Sequence, residues 1–363
     1  MAIKRFRPTM GRHRRSAGTR NTTRKPTEKF QAYAASKKGG KLEPFEFSPG
    51  PLRDEQVEIE ISHCGLCHSD ISMIDNEWDE SSYPLVPGHE VVGKVIAAGD
   101  RTQNVRVGQY VGLGWYSASC LHCRQCLSGD QHLCAKPEQT LVNRHGGFAN
   151  RIRCHWVWAI PLPATIDAAK AGPLFCAGVT VFNPIMLAGV KPTDRVGVIG
   201  IGGLGHLAVQ FLNKWGCEVN AFTSTDSKHD EARELGAHHI VNTCSAASMK
   251  RIEGSLDFII STVYGELDWP AVLKTLGPKG RLHFVGVVPD PIEFEVFDLI
   301  DEQKCMSGSP VGSPATTMTM LDFCARHGIA PVTESLPMSR VNEAIKRLRA
   351  GKARYRIVLE NDF

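Results

Sequence analysis

No apolar run in the sequence approaches the ~18 residues that a membrane span requires, so an integral membrane protein is not expected. No apolar stretch follows the basic start, so a secretory leader is not expected either and the chain reads as cytoplasmic. Internal repeats and low-complexity segments are missing from the body, which excludes a repeat array. Acidic residues are nearly absent from positions 1–29, where ten Lys or Arg stand against Glu28 alone. Without that stretch 32 basic and 37 acidic residues remain, so the formal net charge of +4 becomes −5 and the body is mildly acidic. A segment such as Arg12-His13-Arg14-Arg15, with no apolar period, predicts a disordered basic extension. Such a tail is able to touch nucleic acid, but the acidic body argues against a nucleic-acid-binding protein.

The chain has 363 residues, 42% of them apolar, which is enough for about two domains of roughly 150 residues with real cores. Its twelve cysteines are not the disulfide framework of a small secreted protein. Six fall into metal-binding patterns, and Cys64, Cys154, Cys217, Cys244, Cys305 and Cys324 read as reduced thiols. The sharpest pattern is C-x2-C-x2-C-x7-C, formed by Cys120, Cys123, Cys126 and Cys134 within fifteen residues. That spacing suits a tetrahedral tetrathiolate zinc ion, and four protein sulfurs leave no open position, so the site is structural.

Short strand-like runs separated by Gly and Pro, at 57–61, 90–96 and 109–113, predict a β-rich first lobe. After about Pro163, strand-like runs at 195–199, 218–222, 239–241, 256–261 and 281–287 alternate with helices, the signature of a doubly wound parallel sheet. Helix patterns at 316–327 and 339–350 and a strand at 355–359 close the chain. Gly200, Gly202 and Gly205 follow the strand Val196-Gly197-Val198-Ile199 and open a helix. In that helix Leu204, Leu207, Ala208, Phe211, Leu212 and Trp215 form one apolar face, and Gly216 is its stop signal. This is a dinucleotide-binding turn, in which the pyrophosphate approaches bare backbone at a helix N-terminus.

Three further segments are Cys64-Gly65-Leu66-Cys67-His68-Ser69-Asp70, Pro87-Gly88-His89-Glu90 and Leu174-Phe175-Cys176-Ala177-Gly178-Val179-Thr180. With the tetrathiolate loop between them, they make the chain resemble the zinc-dependent medium-chain alcohol dehydrogenases. In that family two cysteines and a histidine hold the catalytic metal, with water or substrate in the fourth place. Asp75-Asn76-Glu77-Trp78, Gly200-Ile201-Gly202-Gly203-Leu204-Gly205-His206 and Lys352-Ala353-Arg354-Tyr355-Arg356 look like the cinnamyl-alcohol-dehydrogenase group, closest to bacterial broad-range NADPH-dependent aldehyde reductases.

The resemblance implies an α/β fold with four parts. These are the basic extension 1–29, a GroES-like β-rich catalytic domain over 30–163 carrying both zinc sites, a Rossmann doubly wound parallel-sheet domain over 164–313, and a C-terminal return to the catalytic domain over 314–363. It implies two Zn2+ per chain, the catalytic ion held by Cys67, His89 and Cys176 and approached by Glu90 during ligand exchange. Ser69 would relay the alcohol proton and Asp70 would orient His89. His68 would lie near the coenzyme pyrophosphate or shuttle protons itself. Many relatives carry a relay His five residues after Cys67, where this chain has Ser72. Trp78 and Trp115 match walls of the substrate pocket, Thr180 a contact to the nicotinamide, and Val287 with Ser309 its backbone partners. Gly203, Leu204 and Arg356 join the coenzyme site.

Thr223 stands where NAD-using relatives carry an acid that binds the ribose 2′-OH. Hydroxyls at Thr223, Ser224 and Thr225 with the cation of Lys228 favour NADP(H); Asp226 is the contrary sign, offset by its expected role as a helix cap. The implied activity is reversible reduction of small-molecule aldehydes to primary alcohols by hydride transfer from NADPH, in a homodimer. The alternatives are a cinnamyl or benzyl alcohol dehydrogenase working oxidatively, and a zinc-free quinone or enone reductase that would lack the Cys67, His89 and Cys176 set.

Overall fold

The computed structural model describes residues 29–225, 228–288 and 290–363. The expectations for the basic extension, apart from Lys29, and for Asp226 lie outside the described residues.

The first lobe opens on a hairpin, β1 (Phe30–Ala35) and β2 (Leu42–Phe47), followed by β3 (Gln56–Leu66), α1 (His68–Ile74) and β4 (Glu90–Ala98). Next come β5 (Tyr110–Leu113), β6 (Tyr116–Ala118), α2 (Arg124–Leu127), β7 (Glu138–Gln139), β8 (Arg151–His155) and β9 (Ile160–Pro161). Two helices, α3 (Ala168–Ala171) and α4 (Ala177–Ala188), lead into the second lobe. There β10 (Arg195–Ile199), α5 (Gly205–Trp215), β11 (Glu218–Thr223), α6 (His229–Glu234), β12 (His239–Asn242), α7 (Ala246–Arg251) and β13 (Leu256–Ser261) alternate. The series continues through α8 (Trp269–Thr275), β14 (Leu276–Phe284), α9 (Phe297–Ile300) and β15 (Cys305–Gly308). The chain closes with α10 (Pro314–His327), β16 (Thr333–Pro337), α11 (Val341–Arg349) and β17 (Arg356–Glu360).

The second lobe is a six-stranded sheet ordered β12-β11-β10-β13-β14-β15, with every neighbouring pair parallel. Its central strands are buried on both faces, which is why Val196, Val198 and Ile199 run together without polar alternation. Strand order reverses between β10 and β13, and the crevice beyond the carboxyl ends of the strands at such a switch point is where ligands bind. On one face Leu207, Ala208, Phe211 and Leu212 of α5 pack with Val179 and Phe182 of α4. The other face buries Trp269, Val272 and Leu273 of α8. Helix α5 ends at Gly216, whose φ of 108° belongs to the left-handed region that glycine tolerates.

The first lobe is a seven-stranded sheet in which β16-β17-β3-β4-β5-β9 are neighbours and β8 also pairs with β3. Val57, Ile59 and Ile61 of β3 point into its core while Glu60 faces solvent, the period-2 pattern of a half-buried strand. The C-terminal return enters this sheet through β16 and β17. It does so later than the sequence implied, because Met320, Leu321 and Cys324 of α10 are buried in the core built by α4 and α5. The strand expected over 281–287 leaves the sheet at Phe284, and Val285 to Val287 line a cleft instead. Among the described residues, no single helix is long and apolar enough to cross a membrane.

Candidate active site

β3 delivers Cys67 to the N-cap position of α1, with extended backbone (φ −104°, ψ 159°). Asp70, one turn into the helix and fully buried, organises what surrounds it. Its Oδ2 accepts the Cys67 N–H at 2.9 Å, while Oδ1 accepts from Gly88 N at 2.9 Å and from His89 Nδ1 at 2.8 Å. Because Nδ1 carries the hydrogen in that bond, Nε2 of His89 is the lone-pair end, and it lies 3.3 Å from Cys176 Sγ. Nitrogen and sulfur bound to one tetrahedral zinc would be about 3.6 Å apart.

Ligand atoms of Cys67, His89, Glu90 and Cys176 all lie within 4.8 Å of one another, and all four residues are buried. Burial pushes the Glu90 carboxyl up to about 7 against the lowering effect of Arg356. Its Oε1 accepts from Arg356 Nη2, and Oε2 is buried with no partner. The Cys67 and Cys176 side chains are hydrogen-bonded to each other. Cys67 is held well below the ordinary thiol range, chiefly by Cys176, and Cys176 well above it by the same bond. Two cysteine sulfurs and an imidazole lone pair converging in one buried site are a donor set that zinc takes, and the orphaned Glu90 oxygen fits such an ion too. Gly65 makes room for this carboxylate: a Cβ there would sit 2.0 Å from Glu90 Oε2.

The second donor set is closed. Cys120 and Cys126 have their sulfurs 3.9 Å apart, as do Cys123 and Cys134, close to the ~3.8 Å edge of a tetrahedral zinc–sulfur site. The N–H of Cys123 approaches Cys120 Sγ at 3.3 Å and that of Lys136 approaches Cys134 Sγ at 3.4 Å, contacts that favour thiolates. A backbone bond from His122 is the largest of several effects that bring Cys120 down to about 6.

Cys67 and Cys176 of the open set line a cleft of about 290 Å3 between the lobes. Cys67, His68, Ser69, Ser72, Trp78, Trp115, Cys176, Thr180, Leu204 and Val287 all line it, so residues scattered over 220 positions share one cavity. Ser69 Oγ is 3.8 Å from Cys67 Sγ. Trp115 stands edge-on to His89 (centroids 4.9 Å) and to Trp78 (5.9 Å). Tyr264, Pro310 and Val311 also line the cleft and carry no motif that would have marked them. Ser309 does not line it; its hydroxyl is 2.9 Å from Nε2 of the buried His283.

The turn 200–204, of which Leu204 lines the cleft, connects β10 to α5. Lys228 Nζ donates to Ile201 O in this turn at 3.1 Å. Thr223 departs from the expected cradle. It is buried, and its hydroxyl is engaged within its own turn, accepting Thr225 N–H at 3.2 Å and lying 3.0 Å from Thr225 O. Ser224 and Thr225 are exposed beyond it. Arg356 is buried between the metal cluster and the glycine turn: a Cβ on Gly203 would lie 2.9 Å from its Nη1.

Residues 53–164 match the alcohol dehydrogenase GroES-like domain, and residues 203–326 match the zinc-binding dehydrogenase domain. An aldehyde reductase, AdhA, of Synechocystis sp. is 55% identical over 332 residues, covering 92% of this chain and 99% of that protein. The chain belongs to the zinc-dependent alcohol dehydrogenases. A cinnamyl alcohol dehydrogenase of Sorghum bicolor superimposes on this dehydrogenase with a TM-score of 0.88 at 35% identity, covering 92% of this chain and 98% of that one. One from Helicobacter pylori, complexed with NADP(H), gives 0.84 at 31% identity with the same coverage. The two-lobed α/β fold is therefore that of the family, with the GroES-like lobe first and the Rossmann sheet second.

Proposed function

We propose that this zinc-dependent dehydrogenase reduces aldehydes to primary alcohols with NADPH, reversibly, and that the residues lining the cleft divide the work as follows. When bound, zinc polarises a carbonyl and the nicotinamide carries the hydride. Cys67, His89 and Cys176 hold the metal, and Asp70 keeps Nε2 of His89 aimed at it. Ser69 gives the proton of Oγ to the product oxygen. Ser72, with its short side chain in place of a relay imidazole, leaves the onward proton path to the coenzyme ribose and cleft water. Trp78 and Trp115 exclude water and seat the apolar part of the substrate. Thr180, Leu204, Val287 and the Ser309 backbone bracket the nicotinamide end, and Gly200 to Gly205 with Arg356 the phosphates. Ser224, Thr225 and Lys228 take the 2′-phosphate, with Thr223 shaping their turn.

The single observation that carries this reading is that Cys67 and Cys176 of the open donor set and Leu204 of the dinucleotide turn line one aromatic-walled cavity. The names of the relatives, an aldehyde reductase and a cinnamyl alcohol dehydrogenase complexed with NADP(H), point the same way. The zinc-free alternative has no use for a complete Cys67, His89, Cys176 set. A homodimer joined along β15 is part of the proposal, supported by the exposed Val296, Phe297 and Ile300 in the segment that leads into that edge strand. The six cysteines outside the two metal sets, read as reduced thiols, favour a reducing compartment, the cytoplasm. The working division is a catalytic part from residue 30 to about 163 with β16 to β17, and a coenzyme part between them. Aliphatic, cinnamyl and benzyl aldehydes assayed with NADPH and NADH test the reading. NADPH-dependent turnover is expected, and turnover with NADH alone, or with no aldehyde, would overturn it.

A further inference from the structure

The C-terminal return does more than complete the first-lobe sheet. Val332, just before β16, accepts from Tyr355 N at 3.0 Å and Arg356 N at 3.1 Å, and donates its own N–H to His206 Nε2 at 3.2 Å. With Nε2 accepting, Nδ1 of His206 carries the hydrogen and donates to Gly202 O in the glycine turn at 3.1 Å. The Tyr355 ring stacks on His206, centroids 5.0 Å apart and planes within 7°. Its hydroxyl donates to Glu231 Oε2 at 2.5 Å, and Arg354 Nη2 pairs with the other oxygen of that carboxylate. The next residue, Arg356, pairs with Glu90 in the metal cluster. Three consecutive first-lobe residues thus touch α6, α5 and the metal site.

Helix α6 is short and buries only Ala232, so apolar packing holds it weakly. Glu231 lies one turn after Lys228, the cation that reaches across to the glycine turn. The Arg354 pair is half exposed and contributes little by itself. The phenol bond is different, because Tyr355 is 8% exposed and fixed by its stack on His206.

We infer that Tyr355 and Glu231 are positioning residues for the coenzyme's 2′-phosphate: they anchor α6 to the first lobe and so set where Lys228 stands over the turn. This rests on the reading of Ser224, Thr225 and Lys228 as the phosphate cradle. The test is equilibrium binding of NADP+ and NAD+, followed by tryptophan fluorescence, to the full-length zinc protein and its Tyr355→Phe, Glu231→Ala, Lys228→Ala and Tyr355→Phe/Lys228→Ala variants. Tyr355→Phe keeps the stack and removes only the hydroxyl, and Glu231→Ala removes its acceptor. Both should weaken NADP+ about five- to tenfold, the range of one lost hydrogen bond, and leave NAD+ within about twofold. The double variant should be no weaker than Lys228→Ala alone, because both changes act on one contact. Equal weakening of NADP+ and NAD+, or additive effects in the double variant, would overturn the inference. If Lys228→Ala itself spares NADP+, the cradle reading fails; if Lys228→Ala weakens NADP+ while Tyr355→Phe and Glu231→Ala do not, the anchor alone fails. Should Tyr355→Phe not fold, the partly exposed Glu231→Ala decides.

Discussion

Asp70→Asn isolates the contribution of the carboxylate behind the open zinc site. The buried Asp70 side chain accepts three hydrogen bonds, from Cys67 N, Gly88 N and His89 Nδ1, at 2.8 to 2.9 Å. Asparagine has the same shape but one of its two polar atoms can only donate. If the amide nitrogen replaces Oδ2 it faces the Cys67 N–H, and if it replaces Oδ1 it faces both other donors. At least one buried donor is left without an acceptor, which costs about 1–3 kcal/mol. His89 loses the charge that orients its ring, and outer partners of this kind are worth about 10- to 100-fold in metal affinity. That is about 1.4–2.7 kcal/mol at the open site, at 1.36 kcal/mol per tenfold. The tetrathiolate loop shares none of these bonds and should keep its ion. Titrating the protein with a chromophoric chelator should release zinc in two phases of equal amplitude. In Asp70→Asn the phase belonging to the open site should move to 10- to 100-fold weaker chelation while the other stays in place. If neither phase moves, or both move together, Asp70 does not act by holding His89 toward the metal.

Cys67→Ser should abolish turnover and leave about one zinc per chain on a largely intact fold, whereas Cys123→Ser should lower the melting temperature or solubility; metal analysis with activity and thermal unfolding separates the two. Thr223→Asp keeps an acceptor for Thr225 N–H, loses the donor to Thr225 O, and brings a carboxylate beside the proposed phosphate site. The like-charge repulsion should cost about 2–4 kcal/mol, or about two orders of magnitude in NADPH kcat/KM, with NADH affected much less. A wild type that already prefers NADH would refute the cradle. Burial lowers the pKa of His206 to about 4, below the ~6.5 of an unfolded histidine, so the unfolded chain takes up the proton first. Stability is therefore complete above about pH 6.5 and is lost as pH falls toward 4, by up to about 3 kcal/mol from this residue. His206→Gln should flatten the dependence of the melting temperature on pH across that window, and parallel curves would count against it.

Both metal sites and the dinucleotide turn were legible in the chain because their chemistry is written in local spacing. Four sulfurs within fifteen residues can reach one ion whatever surrounds them, and glycines after a buried strand leave backbone N–H groups free wherever the sheet is placed. The apolar face of α5 and its stop at Gly216 follow from helical period alone. The open site is different in kind. Cys67, His89 and Cys176 acquire meaning together only through family likeness, since no local rule links positions so far apart. Tertiary structure alone decided what no spacing encodes. The register of β17 against β3 sets Arg356 beside Glu90, 266 positions away in sequence. A turn bond holds the buried Thr223 hydroxyl against Thr225 and leaves Ser224 and Thr225 exposed. Packing against α4 keeps α10 with the second lobe although it lies in the C-terminal return. Each of these depends on which apolar faces meet, and on which buried polar group finds a partner once they have met. The sequence specifies those contacts collectively, through the whole core, and so no short stretch of it reveals them.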